Sequence, residues 1–497
     1  MTTPATQFPT DPTGLPEARP PEPVELADGD RFDLRIAPVA KRIGGDTVRM
    51  LAYNGSIPGP VLKVPQGSEI VVDVENRGDL ETTVHWHGLR LESRFDGTHE
   101  TQRPMGVGER YSARVAFPDP GAYWYHPHIR EDYAQELGLY GNVIVEPDDP
   151  GYWPPAHREL ALTLDDVLVE DGRIAPFSRA ETTHSAMGRF GNVMLVNGET
   201  DLALTARTGE VVRLYLTNTA NTRVFRVALP GARMKLVGGD SGHVEREEMV
   251  EDVLLAPSER AVVDVLFERP GELTLEHRTP QAVHALATVT VADEPAEPGP
   301  AEAFGVLRVN ADMAAERERA APYLEAEPDQ TLSFLAEMDM GEAGGGAGEH
   351  GHHEHHQAHA HGDAAGDGIE WEDEMADANR LTTPSNTRWR ILDPATGRAP
   401  EWAFRVGDRV KIRLRNEMAG DHPMHHPFHV HGAGRFLVLS RDGAVETNLV
   451  WSDTVFVRAG ETVDILLDVT NAGRWMAHCH IAEHHESGMT FSFDVAP

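Results

Sequence analysis

The single cysteine of the chain stands between two histidines, in the segment HCHIAEHHESGM (478–489). Because neighbouring side chains of a β-strand point to opposite faces, Cys479 would face away from His478 and His480. A metal bound by its thiolate would then lie behind a metal held by the two imidazoles, with only a few covalent bonds between them. A lone cysteine cannot form an internal disulfide, so its thiol is free for chemistry, although a buried inert cysteine is the alternative.

Further ligands for a metal at Cys479 lie nearby and in an earlier motif. The same segment continues with His484 and Met489, and HPFHVHG (426–432) offers His426. Two imidazoles, one thiolate and a weak thioether form the ligand set of a blue-copper electron-transfer centre, whose axial methionine helps to set the reduction potential. The sequence therefore predicts such a centre at the last of its histidine motifs.

Four H-x-H pairs place eight histidines two residues apart. Side chains i and i+2 of a β-strand share a face, roughly 6.6–7 Å apart, so each pair presents two imidazoles side by side. A single pair is more often structural, but four together favour one cleft lined by imidazoles. Neutral imidazole suits copper, zinc, iron and nickel, so the pairs alone do not identify the metal. They are His85 and His87, His126 and His128, His429 and His431, and His478 and His480.

Two short patterns recur three times and predict the strands that carry these residues. The first opens with Gly, closes with Asn and alternates apolar with polar residues, as in a half-buried strand entered from a turn. Its copies are GSEIVVDVEN (67–76), GEVVRLYLTN (209–218) and GDRVKIRLRN (407–416). The second pattern follows each of them, as GERYSARVAFPDPG (108–121), SERAVVDVLFERPG (258–271) and GETVDILLDVTNAG (460–473). The repetition predicts three homologous β-sandwich domains.

The middle repeat differs from the other two where the histidines stand. Five residues after the closing Gly, the first copy has His126 and the third has His478, whereas the middle copy has Glu276. The residues FRVAL (225–229) likewise occupy the place of the HWHG and HVHG motifs. We expect domains one and three to carry the metal ligands and domain two to act as a spacer that positions them.

Chain length agrees with several domains, because hydrophobic cores stop growing near about 250–300 residues and this chain has 497. We predict an N-terminal tail (1–30) and a first domain (31–150). A second domain (151–298) would follow, and then a linker with the third domain (299–497).

Charge and composition exclude some partners. With 44 basic and 80 acidic residues, the formal charge of −36 repels nucleic acid and anionic membranes and attracts cations or neutral substrates. We expect no membrane span, because no run of 18 apolar residues occurs. The start MTTPATQFPTDPTG lacks the features of a signal peptide. The expected location is the cytoplasm, or an extracytoplasmic compartment if an export signal has been removed.

With its four histidine motifs in order and register, the sequence resembles the three-domain multicopper oxidases of the laccase and bacterial copper-oxidase family. The resemblance implies an all-β fold of three tandem cupredoxin-like Greek-key sandwiches and four coppers per chain. The type 1 copper would be bound by His426, Cys479 and His484, with Met489 as the axial ligand. The type 2 copper would take His85 and His429, and the two type 3 coppers His87, His126, His128, His431, His478 and His480.

One register needs care, since His422 and His425 also stand beside the third motif. Gly432, which follows His431, fixes the alignment on His426.

The resemblance also implies a reaction. The enzyme would oxidise a reducing substrate at the type 1 copper, pass electrons from Cys479 through His478 and His480, and reduce O2 to water at the three-copper cluster. The first expectation is a laccase-like oxidase of phenolic or similar aromatic substrates. The alternative is a metal oxidase acting on Cu(I), Fe(II) or Mn(II) in metal tolerance. A non-catalytic copper-binding protein fits less well, because such relatives lose cluster ligands and this chain lacks none.

Two further expectations concern nitrite reduction and oligomeric state. A copper nitrite reductase is disfavoured because four H-x-H pairs exceed the needs of its separate type 2 site. We expect a monomer, since three covalently joined domains can form the cleft within one chain.

Reduction of O2 consumes protons, so carboxylates near the cluster are expected as relays. Asp96, in SRFDGTHE (93–100), matches the acid that the family places beside the type 2 copper, although an Asp before Gly is also a common turn device. A second family acid normally follows the distal type 1 histidine. Here that position is His485, and Glu486 follows it, so the sequence does not assign the proton path to the type 3 pair.

A histidine-rich insertion (341–368) interrupts the third domain. Its Gly, Ala and acidic residues cannot bury enough apolar surface to fold, so the composition predicts a mobile loop. Clustered histidines of this kind bind copper or zinc weakly, which favours the metal-oxidase alternative. A solvated insertion without a role is equally compatible with the sequence.

Overall fold

The computed structural model describes residues 6–338, 367–417 and 424–497. The predicted all-β fold is confirmed: three β-sandwiches follow one another along the chain, with few helices between their strands. Most of the predicted histidine-rich insertion (341–366) and His422 lie outside the described residues. No helix in the described part of the chain is both long and apolar enough to cross a membrane.

The first sandwich contains the first two histidine pairs. Its strands are β1 (Pro23–Glu25), β2 (Arg31–Ile43), β3 (Asp46–Tyr53), β4 (Val61–Pro65), β5 (Glu69–Asn76), β6 (His85–His87), β7 (Arg110–Ala116), β8 (Gly121–His126) and β9 (Gly141–Glu146). One sheet has the order β1-β4-β9-β8-β6 and the other β3-β2-β5-β7. A 3-10 turn, Ser93–Phe95, and helix α1, Glu131–Ala134, lie in its loops.

The second sandwich has a six-stranded and a five-stranded sheet, of order β13-β10-β15-β20-β17-β18 and β14-β22-β21-β16-β19, and a small β11-β12 ribbon. Its strands are β10 (Arg158–Val167), β11 (Val169–Glu170), β12 (Arg173–Ile174), β13 (Val193–Val196), β14 (Leu202–Thr208), β15 (Glu210–Asn218), β16 (Phe225–Ala228), β17 (Arg233–Gly239), β18 (Gly242–Val250), β19 (Asp252–Leu255), β20 (Arg260–Phe267), β21 (Gly271–Arg278) and β22 (Val283–Pro295). Helices α2 (Pro298–Phe304) and α3 (Ala311–Leu324) follow it.

The third sandwich repeats this arrangement, with sheets of order β24-β23-β26-β31-β28-β29 and β25-β33-β32-β27-β30. Its strands are β23 (Gln330–Met338), β24 (Thr387–Leu392), β25 (Ala403–Arg405), β26 (Arg409–Asn416), β27 (His426–Val430), β28 (Gly434–Arg441), β29 (Ala444–Val445), β30 (Thr454–Val457), β31 (Thr462–Val469), β32 (Gly473–Cys479) and β33 (Thr490–Ala496). Helices α4 (Ala376–Asn379) and α5 (Ala482–Glu486) lie in its loops.

The repeated sequence patterns form equivalent strands in all three sandwiches. The first pattern is β5, β15 and β26, and each pairs antiparallel with the strand of the second pattern, β7, β20 and β31. The closing asparagines Asn76, Asn218 and Asn416 are buried, and each donates its side-chain N–H groups to two backbone carbonyls, one of them shortly after its own strand. The Asn of the pattern is therefore a device that holds the loop after each strand.

One copy of the pattern is more buried than its alternation predicts. In β5 buried and partly exposed residues alternate, whereas every residue of β15 is buried. Two polar positions of β15 are covered by the first sandwich, where Asn142 donates to Thr217 Oγ1 over 2.6 Å and Tyr215 packs with Ala122 and Ile144. Contact between sandwiches, which a strand period does not encode, accounts for the burial at these two positions.

The histidine strands form the same pair of neighbours in the first and third sandwiches. His85 is opposite His126 in the β6–β8 pair, and His429 is opposite His478 in the β27–β32 pair. The corresponding β16–β21 pair of the middle sandwich sets Ala228 opposite Glu276. The fold therefore brings the histidines to one edge of each outer sandwich.

Candidate metal centres

Cys479 lies in a group of three metal-binding side chains at the end of β32. Its Sγ is 3.6 Å from His426 Nδ1 and 3.7 Å from His484 Nδ1, and the two nitrogens are 3.3 Å apart. All three side chains are buried. Met489 is also fully buried, and its backbone bonds to Cys479 and His484 hold it beside the group. Burial raises the pKa of the Cys479 thiol, so a bound cation is needed to ionise it.

Aromatic and backbone groups cover the outer side of this site. The Trp389 ring lies 4.7 Å from that of His426 and 4.2 Å from that of His484, between centroids. Its indole N–H donates to Ser185 O, and His484 Nε2–H donates to Ala186 O. A loop of the second sandwich therefore closes the surface nearest to the site.

The eight paired histidines meet where the first and third sandwiches face each other. The rings of His87 and His429 stack with centroids 3.8 Å apart, and those of His85 and His431 are 4.1 Å apart. All eight histidines are at most 2 % exposed. The structure thus brings together every residue predicted to bind the type 2 and type 3 coppers.

In six of the eight histidines, a hydrogen bond at one ring nitrogen fixes which nitrogen faces the cluster. The Nδ1–H groups of five histidines donate to oxygen atoms around the site: His85 to Asp96 O, His126 to Pro127 O, His429 to Asp453 O, His431 to Asp96 Oδ2 and His478 to Cys479 O. This leaves their Nε2 lone pairs for a metal. His87 is the reverse case, because its Nε2–H donates to Asp453 Oδ1. Considering described atoms only, His87 Nδ1 and the Nε2 atoms of His85, His126 and His429 lack hydrogen-bond partners.

Burial also favours the neutral form of these imidazoles. It lowers the pKa of His87, His126, His128, His431, His478 and His480 well below the ordinary value. At the Cys479 site, burial likewise lowers the pKa of His426 and His484. A neutral imidazole has a free lone pair, so both groups are prepared to bind cations.

Asp96 lies against the cluster, as the sequence predicts for a relay. Its Oδ2 is 2.8 Å from His431 Nδ1, and its Oδ1 is 3.5 Å from His85 Nδ1. Although burial opposes protonation, Asp96 raises the pKa of His85. One carboxylate therefore contacts a histidine from each outer sandwich.

On the opposite side, the carboxylate nearest to the cluster is Glu131 rather than the predicted Glu486. Glu131 Oε1 lies 3.1 Å from His128 Nδ1 and 3.4 Å from His485 Nδ1, and the residue is fully buried. Glu486 is one step further out, where its Oε1 accepts the Glu131 backbone N–H over 3.2 Å. Burial, with Asp132 nearby, raises the pKa of Glu486 to about 7. Sequence reasoning missed Glu131, although its place three residues after His128 was a usable signal.

His425 is buried, but it contacts the Glu370 backbone rather than either metal-binding group. Its Nδ1 accepts the backbone N–H of Glu370 over 3.1 Å, while the adjacent His426 faces Cys479. The segment that follows the histidine-rich insertion is therefore held directly behind a candidate ligand.

Two parts of the chain match the sequence profile described as multicopper oxidase, residues 38–150 and 373–497. The chain belongs to the multicopper oxidase family. Multicopper oxidase MmcO of Mycobacterium tuberculosis is 26 % identical, over 91 % of this chain and 84 % of the relative. Copper resistance protein A of Escherichia coli is 25 % identical, over 93 % and 92 %. The crystal structure of a multi-copper oxidase from Pseudomonas thermotolerans superposes with a TM-score of 0.69 at 27 % identity, covering 95 % of this chain and 100 % of that one.

A multicopper oxidase binds copper and uses O2 as its electron acceptor, and the residues present fit copper. The Cys479 group offers one sulfur and two imidazole nitrogens at mutual distances that one ion can span. The histidine cluster offers several buried nitrogen lone pairs, and a cation would satisfy them. The family match and the structural neighbour confirm the predicted cupredoxin-like fold and the oxidoreductase class.

Proposed function

We propose that this multicopper oxidase binds four coppers and transfers electrons from a reductant at the Cys479 site to O2 at the histidine cluster. His426, Cys479, His484 and Met489 would hold the type 1 copper. His85 and His429 would hold the type 2 copper, and His87, His126, His128, His431, His478 and His480 the type 3 pair. The observation that carries the proposal is that Cys479 Sγ meets two imidazoles while its direct neighbours lie in the histidine cluster.

When bound, copper supplies the redox chemistry, since it accepts single electrons from the reductant and delivers four of them to O2. The chain supplies the connection. Cys479 is covalently joined to His478 and His480, and His478 Nδ1–H also donates to Cys479 O over 2.9 Å. This strand end would therefore give a covalent path of a few bonds between the two sites.

Protons would reach the cluster from two sides. Asp96 serves the side of His85 and His431, which it contacts directly. On the other side we assign the nearer role to Glu131 and leave Glu486 as the next group outward, because Glu486 contacts only the Glu131 backbone in this direction. The acid that follows the type 1 histidine in the family is thus replaced by a carboxylate on helix α1.

Of the two reductant classes, a metal cation has the support of a specific contact. Burial, with Glu374 and Asp373 nearby, raises the pKa of Glu370 to about 7, and its backbone N–H binds His425 next to His426. A cation would relieve the repulsion among these carboxylates, and the charge of −36 would attract it. An aromatic reductant keeps the support of the laccase resemblance, but Trp389 and Ala186 cover the nearest edge of the site.

Steady-state rates on Cu(I) and on a phenol separate the two classes. The double variant Glu370→Gln and Glu374→Gln should raise the KM for Cu(I) and leave the phenol rate unchanged. The matched control removes two exposed carboxylates elsewhere on the chain, in the double variant Glu302→Gln and Glu401→Gln. Deletion of residues 341–368 tests the insertion in the same assay, and loss of metal oxidation alone would assign it to metal handling. Equal rates on Cu(I) in all variants would contradict the metal-cation proposal.

Two structural expectations also remain proposals. The division of the chain after residues 150 and 298 agrees with the strand bounds of the three sandwiches. A monomer is supported because one chain supplies all eight cluster imidazoles. Sedimentation of the copper-loaded protein tests the second.

A further inference from the structure

Arg260, at the start of β20, joins all three sandwiches at one point beside the cluster. Its guanidinium is fully buried, and every N–H group has an acceptor. Nε donates to Ala122 O over 3.0 Å, in the first sandwich. Nη1 and Nη2 donate to Ser258 O and Asp240 O in the second, over 2.9 and 3.3 Å. The remaining two donors bind Asp453 of the third sandwich in a fork, to Oδ1 over 2.8 Å and to Oδ2.

Asp453 passes this contact on to two cluster histidines. Its Oδ1 accepts His87 Nε2–H over 2.9 Å, and its backbone carbonyl accepts His429 Nδ1–H, also over 2.9 Å. The same Oδ1 lies 3.4 Å from His429 Nδ1. Thr454 Oγ1 lies 3.1 Å from His87 Nε2 and 3.2 Å from His429 Nδ1, so Asp453 and Thr454 together hold His87 with Nδ1 and His429 with Nε2 toward the cluster.

Asp240 and Gly88 support this arrangement. The Asp240 carboxylate accepts the backbone N–H of Arg260 over 2.8 Å and that of Asp453 over 3.3 Å. Gly88, directly after His87, leaves the room that the pair needs, because a Cβ there would come within 2.8 Å of Arg260 Nη2. The Gly of the HWHG motif therefore has a packing reason that its sequence does not reveal.

We infer that Arg260 is a positioning residue for the copper cluster, acting through Asp453 on His87 and His429. The inference rests on the proposed function. It gives the middle sandwich a part in the metal site, although that sandwich provides none of the assigned ligands.

Geometry explains why an arginine is needed. The planar guanidinium binds both oxygens of the buried Asp453 carboxylate in a fork, which fixes the direction in which Oδ1 points. Without the guanidinium the carboxylate loses its charged partner and has to move. A displaced Oδ1 no longer accepts His87 Nε2–H, which releases His87 from the tautomer that directs Nδ1 to the cluster.

Copper titration of the full-length apo protein against a chelator of known affinity tests the inference. We expect Arg260→Met and the isosteric Asp453→Asn to weaken copper binding at the cluster by roughly 10–100-fold, the usual effect of losing a group that orients a ligand. The type 2 signal in electron paramagnetic resonance should change, while the blue absorbance of the type 1 copper should persist. Arg260→Lys keeps the charge and should restore part of the affinity.

Arg213→Met is the matched control. Arg213 forms a similar buried fork to Asp264, which lies on the same strand as Arg260, but this pair is remote from the cluster histidines. We expect the control to lose stability and to keep cluster affinity within about 2-fold of wild type.

Three results would overturn the inference. Cluster affinity equal to wild type in both Arg260→Met and Asp453→Asn would remove the positioning role. Equal losses in Arg260→Lys and Arg260→Met would show that packing, rather than charge, matters there. A wild-type protein that binds copper only at Cys479 would overturn the proposed function and this inference with it.

Discussion

Replacing Gly432 by Ala tests how closely the first and third sandwiches approach beside the cluster. A Cβ at this position would lie 2.7 Å from the Trp475 ring and 2.9 Å from the Leu89 carbonyl oxygen. Ordinary contact begins near 3.4 Å, so Leu89 of the first sandwich must move away by about 0.5 Å, and Trp475, which shares the third sandwich with Gly432, by about 0.7 Å. Trp475 is fully buried and Leu89 contributes backbone, so neither yields freely. Gly432 directly follows His431, which lies 2.8 Å from Asp96.

The expected effect has two parts. Overpacking should lower the free energy of unfolding by about 1–3 kcal/mol. A shift of this size also exceeds the tolerance of roughly 0.5 Å for a preorganised site, so cluster copper should bind about 10-fold more weakly or worse. Urea unfolding of the apo protein measures the first part and copper titration the second.

Gly45→Ala is the control, because a Cβ there meets nothing within 4 Å. If Gly432→Ala matched this control in both stability and copper affinity, the close approach of the two sandwiches would be refuted.

Three further predictions concern the metal sites and the middle sandwich. Cys479→Ser should abolish the blue absorbance and slow electron transfer from the reductant, while copper at the histidine cluster stays bound; retained colour would contradict the assignment. Glu131→Gln should slow reoxidation of the reduced enzyme by O2 by roughly 10²-fold and leave reduction of the type 1 copper unchanged, whereas equal reoxidation rates would remove Glu131 from the proton path. Burial, with Arg223 nearby, lowers the pKa of His277 to about 3 from 6.5. Between these two pH values the unfolded chain therefore binds one more proton at this residue than the folded chain does. As the pH is lowered below about 6.5, the free energy of unfolding decreases by up to roughly 1.4 kcal/mol per pH unit. In His277→Asn, the free energy of unfolding measured in urea should lose this contribution to its difference between pH 7.5 and pH 5.5.

Local sequence patterns predicted the strands and the candidate ligands. The period of two in GSEIVVDVEN became the alternating burial of β5, and the H-x-H spacing became imidazoles on one face. Both are local consequences of backbone geometry, which is why they can be read from a single sequence. Gly432 also selected His426 correctly over His425 as the neighbour of Cys479.

Contacts between distant segments could not be predicted from local sequence patterns. Arg260 and Asp453 are 193 residues apart, and no local pattern marks either of them. Glu131, rather than Glu486, is the carboxylate beside the cluster because α1 and α5 pack together. That packing depends on how the first and third sandwiches dock. Burial on both faces of β15 has the same origin.

Ligand atoms of one cluster come from opposite ends of the polypeptide, and this has a consequence for biosynthesis. His128 and His478 lie 350 residues apart, and ribosomes add roughly 5–20 residues per second. The early imidazoles therefore wait roughly 20–70 s before their partners leave the ribosome. The cluster cannot be completed until the late histidines have emerged, so the timing of copper delivery can be set after most of the chain has been synthesised.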